Sequence, residues 1–112
     1  MKSNELKMKS QDYFEAIIQL RPRDQKLIDY VNNQIKKREN NVFVAKVIDW
    51  KKIGIDIYIS DQKYAVAIGR KLKRAFKGDL KISKKLFTQS RVTSKFVYRV
   101  TVCFREKIEE DL

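Results

Sequence analysis

The chain contains no histidine, a single cysteine (Cys103), a single proline (Pro22) and three glycines among its 112 residues. Without histidine it lacks the commonest general base, the commonest metal ligand and every His-containing catalytic triad. One cysteine allows neither an intrachain disulfide nor a thiolate zinc site, and mid-strand without a histidine partner it reads as a structural thiol. Gly54, Gly69 and Gly78 lie too far apart to form a phosphate-cradling loop. The acids Asp24, Asp29, Asp49, Asp56 and Asp61 show no metal-ligand spacing. No run of about 20 apolar residues is present to span a bilayer. The first twelve residues lack the apolar core of a signal peptide, so a cytoplasmic location without a membrane partner is expected. These absences predict a non-enzymatic protein with no catalytic residue, metal, cofactor or small-molecule substrate.

What the chain does have is positive charge. It carries 26 Lys+Arg against 14 Asp+Glu, a formal charge of +12. Between residues 63 and 99 there are twelve basic side chains and one acid, Asp79, a net +11; the other 75 residues hold 14 bases and 13 acids. A device for solubility would be spread along the chain, whereas this concentration points to a polyanionic partner. Apolar residues make up 43% of the chain, which is enough for a core and too many for a disordered basic tail.

Hydrophobic periodicity predicts a β-α-β-β-α-β-β order. Residues 1–11 read as a leader, 12–106 as a single domain and 107–112 as an acidic tail. Tyr13 to Arg21 is a strand with Phe14, Ala16, Ile18 and Leu20 on one face. Pro22 fits the first position of a helix whose apolar face is Leu27, Ile28, Val31 and Ile35. Val42–Trp50 and Ile55–Ile59 form the next strands. Ser60 is the expected cap of a second helix with Tyr64, Ala65, Ile68, Leu72, Ala75 and Phe76 inward and Gly78 at its end. Within it, Gly69 is expected to let the helix approach its neighbour closely. Leu80–Phe87 and Lys95–Arg105 are the last strands. The fold class expected is α+β: a ferredoxin-like antiparallel sheet with two helices on one face and one added strand.

Two basic features are candidates for RNA contact. On the second helix, Lys63, Arg70, Arg74 and Lys77 fall within about 60° of one another, opposite Ile68 and Leu72, and Lys71 and Lys73 flank them. Such cations along ~20 Å of helix match the phosphates of a nucleic-acid backbone. The plainer reading is a solvated face, although solvated faces usually mix charge signs to avoid like pairs at i,i+4. In the last hairpin, Lys81, Lys84, Lys85, Arg91 and Lys95 surround the polar segment Thr88–Ser94, which suits phosphate and 2′-hydroxyl contacts. Here the plainer reading is a hairpin tip with lysines that discourage edge pairing. The open sheet face carries Tyr13, Glu15, Ile17, Gln19, Asp56, Tyr58, Arg99 and Thr101. It lacks the aromatic signature of an RNA-recognition motif, and Tyr13, Ile17 and Tyr58 on it are candidates for docking a protein.

Three blocks together, YFEAIIQLRPRD (13–24), GIDIYISDQKYAVAIGRKLKRAFKGDLKISKKLF (54–87) and FVYRVTVCFR (96–105), resemble the core domain of the NMD3 family of large-subunit export adaptors. The resemblance implies a non-enzymatic role in large (60S/50S) ribosomal subunit biogenesis. The partner expected is large-subunit rRNA, contacted through the basic helix and hairpin; the alternative is a protein-docking adaptor whose open sheet face grips a ribosomal protein or an assembly GTPase. It makes Arg21, Arg70–Lys77 and Lys84–Arg91 candidate ribosome contacts. The family's zinc-binding CxxC pairs precede the first block, but residues 1–12 contain no cysteine, so zinc binding does not carry over.

Overall fold

The computed structural model describes residues 13–89 and 96–107. The expected leader, tail and hairpin tip, with Arg91 and Lys95, lie mostly outside them. In chain order the elements are β1 (Ala16–Arg21), α1 (Gln25–Lys36), β2 (Val44–Asp49), a 3-10 turn (Lys51–Ile53), β3 (Ile55–Ile59), α2 (Gln62–Ala75), β4 (Gly78–Gln89) and β5 (Phe96–Glu106). Among the described residues, no helix is long and apolar enough to cross a membrane.

The α+β class and the five strands with two helices agree with the sequence; the all-antiparallel sheet does not. The strand order is β2-β3-β1-β5-β4. β1 is antiparallel to β3 but parallel to β5, so the sheet is mixed. The last strand inserts between β1 and β4 instead of adding at the edge. Burial explains the exchange. β5 sends Val100, Val102 and Phe104 into the core, each at most 2% exposed, whereas β4 carries Lys81, Lys84 and Lys85, all exposed. A central β4 would carry Lys84, which pairs with Val100 on the helix side, beneath the helices and desolvate its ammonium group; at the edge it keeps its water.

The core is built of cross-strand rungs beneath the helices. Ile59, Ala16 and Val100 stand side by side, then Ile57, Ile18 and Val102, then Ile55, Leu20 and Phe104. Leu27, Ile28, Val31 and Ile35 of α1 and Tyr64, Ala65, Ile68 and Leu72 of α2 close over them. At Gly69 α2 lies tight against the sheet: a Cβ there would lie 2.5 Å from Val102 Cγ1 and 3.1 Å from Leu80 Cδ1.

Several local expectations are corrected. The strand begins at Ala16, not Tyr13, and Phe14 leaves the core face. Its ring meets Tyr58 edge-on at 4.8 Å and lies 3.8 Å beneath the Arg99 guanidinium. α1 begins after Pro22, with Asp24 as its cap, the carboxylate accepting from the Lys26 amide at 3.0 Å. α2 is capped by Asp61, which accepts from the Tyr64 amide at 3.0 Å, while Ser60 Oγ accepts from the Phe43 amide. β2 is shorter than Val42–Trp50, and α2 stops at Ala75, before Lys77. β5 runs through Glu106, and the Lys107 amide donates to the Lys77 carbonyl at 2.9 Å.

Candidate nucleic-acid interface

α2 positions the first group of cations. Its inward face is fixed by Ile68 and Leu72, both fully buried. At 100° per residue this turns Lys63, Arg70 and Arg74 directly outward. All three are exposed, and none has an ion-pair partner among the described residues. The flanking lysines are tied down: Lys71 Nζ donates to Gln34 Oε1 of α1 at 3.1 Å, and Lys73 Nζ to the Gly78 carbonyl at 2.9 Å. Lys77, expected on the stripe, lies in the connection to β4. No acid stands between residues 62 and 78, so Arg70 and Arg74 repel at i,i+4 by roughly 0.2–0.5 kcal/mol.

A helix N-terminus is an ordinary anion site, but in α2 two carboxylates already hold it. Besides the Asp61 cap, Glu15 Oε1 accepts from the Gln62 amide at 2.9 Å. An anion must therefore be held by the side chains along the helix. Tyr13 donates its hydroxyl to Glu15 Oε2, and burial together with that bond pushes its pKa up to about 12.

The hairpin is divided between two faces. Lys84 pairs in register with core residue Val100 and shares the helix side of the sheet with Tyr98, its Nζ 6.0 Å from the ring centroid. Lys81 and Lys85 pair with Cys103 and Arg99 and lie on the open face. β1 pairs with β5 only as far as Val100, so beyond Lys84 the hairpin continues as a two-stranded ribbon with Leu86 and Tyr98 exposed. Arg105, on the open face diagonal to Lys81, is a cation that sequence reasoning left out, although the β5 alternation places it there.

The docking candidates Ile17 and Tyr58 are register partners on the open face, both half-buried. Phe14 covers one side of Tyr58, and Lys46 Nζ lies 4.8 Å from its ring centroid. Asp56, expected on that face, is buried: it accepts from Arg21 Nη2 at 2.7 Å and from Trp50 Nε1 at 3.1 Å. This commits Arg21, a candidate ribosome contact, to an internal ion pair. Among the described residues no cluster of His, Cys, Asp and Glu could hold a metal ion.

The family model described as "NMD3, second domain" matches residues 13–105, a span that includes all three sequence blocks. No curated protein matches the chain. The family is one of ribosome adaptors rather than enzymes, associated with the large ribosomal subunit. With its blocks in order on this fold, the chain belongs to the NMD3 family, and its role is linked to ribosomal-subunit biogenesis or export.

Proposed function

We propose that this NMD3-family domain binds large-subunit ribosomal RNA through the outer face of α2 and the basic β4–β5 hairpin. Binding is dominated by phosphate contacts and by RNA shape, with little reading of base edges. The supporting observation is that Lys63, Arg70 and Arg74 share an exposed helix face without an ion-pair partner among the described residues. A folded chain gains nothing from that mutual repulsion; a polyanion relieves it.

The test is capture of native ribosomal particles on the tagged chain, followed by RNA crosslink mapping. Crosslinks from α2 and the hairpin to large-subunit rRNA are the expected result. Capture of particles with crosslinks to protein alone would overturn RNA contact and favour docking through the sheet face around Ile17 and Tyr58.

A further inference from the structure

We propose that the β4 edge separates two independent phosphate-binding surfaces, so that one chain bridges two RNA duplex segments. This rests on the RNA-binding reading above and extends it.

The argument begins with strand alternation, which sends successive side chains to opposite sides of a sheet. On the helix side, Lys84 joins Lys63, Arg70 and Arg74. On the open side lie Lys81, Lys85 and Arg105, all exposed and without an ion-pair partner among the described residues. Lys81 and Lys85 are four residues apart, about 13 Å along the strand, and Arg105 sits roughly 7–8 Å from Lys81 across the diagonal. Between the two lysines, Ser83 stands in register with Thr101, adding two hydroxyls to the ladder. Cations alternating with hydroxyls suit phosphate oxygens and ribose 2′-hydroxyls.

The acids on this face leave the ladder positive. Asp79 is opposite Arg105 in register, with no ion pair between them. Glu15 is occupied by the Gln62 amide and Asp56 by Arg21 and Trp50. Lys85 is directly opposite Arg99, whose guanidinium lies over the Phe14 ring and donates to the Phe14 carbonyl at 3.1 Å. The outward face of α2 and the open face of the sheet point in opposite directions, with the helix and sheet layers between them. A straight duplex lying on one cannot reach the other.

The experiment is native mass spectrometry of the full chain with a short RNA duplex, repeated with Lys81→Glu/Lys85→Glu and with Arg70→Glu/Arg74→Glu. All four positions are exposed, and circular dichroism checks that the fold is kept. The expected result is two duplexes per wild-type chain and one per chain in either variant. An RNA carrying two linked duplexes should bind wild type at least about tenfold tighter than a single duplex, with the gain lost in both variants. One duplex per wild-type chain, or an unchanged stoichiometry in the Lys81/Lys85 variant, would overturn the bridging role and leave the α2 contact standing. No duplex binding at all would overturn both readings.

Discussion

Lys84 and Lys85 are adjacent in sequence and stand on opposite faces of the sheet, Lys84 in register with core residue Val100 and Lys85 with Arg99 on the open side. The excess positive charge is thus a helix stripe and a strand edge with cations on both sides, not a single patch. This arrangement requires β4 to be the edge strand. With β5 taking the position beside β1, the lysines of β4 remain in water and both of its faces remain accessible.

Asp56 is the acceptor that locks the end of β1 to β3 and to the turn before it. Asp56→Ala removes the partner of both Arg21 and Trp50, leaving a largely buried guanidinium unpaired. We expect a loss of about 3 kcal/mol in urea unfolding, the lower end for breaking a buried ion pair. Trp50 is the chain's only tryptophan, so its fluorescence should change in the folded state as well. Unfolding midpoints equal to wild type would show that the network carries no stability.

Gly69→Ala separates packing from helix propensity. Propensity alone would favour alanine by about 1 kcal/mol. The added Cβ, however, would lie 2.5 Å from the buried Val102 Cγ1, so either the Val102 side chain or the helix must shift. Such overpacking is expected to cost about 1–3 kcal/mol, read as a lowered melting temperature. A more stable variant would mean that helix and sheet are not in close contact at this point.

Glu106 lies against Asp24 and Lys26, with Lys26 Nζ 3.1 Å from Oε2. Burial, then the hydrogen bond with Asp24, raises its pKa above the ordinary glutamate value. Burial opposes the shift of Asp24, but hydrogen bonds from Glu106 and the Lys26 amide hold its pKa below the usual range. The contribution of Glu106 is therefore full below the normal glutamate range and lost as pH rises through its raised folded value; that of Asp24 is present above the normal aspartate range and lost as pH falls. Glu106→Gln should gain stability relative to wild type as pH rises above the ordinary glutamate range, measured by urea unfolding at several pH values. Parallel pH profiles would contradict this.

Much of the core was legible in the sequence because it depends on local alternation: Ile55, Ile57 and Ile59, or Val100, Val102 and Phe104, face one way whichever strands they pair with. The stripe of Lys63, Arg70 and Arg74 was legible for the same reason, since the helical period fixes it once Ile68 and Leu72 are inward. Strand order was not, because it depends on how much charge each strand would bury. Arg21 and Asp56 are 35 residues apart, and no local pattern brings them together. Phe14 left its expected face because regular pairing begins only at Ala16.

The most direct test of RNA binding through α2 is the salt dependence of affinity for large-subunit rRNA, wild type against Arg70→Glu/Arg74→Glu. Each phosphate contact contributes about 0.9 to the slope of log K against log salt on a duplex. The account predicts a steep negative slope for wild type and one shallower by roughly 2 in the variant, with the fold unchanged. An affinity that does not respond to salt, or equal slopes in the two proteins, would contradict it.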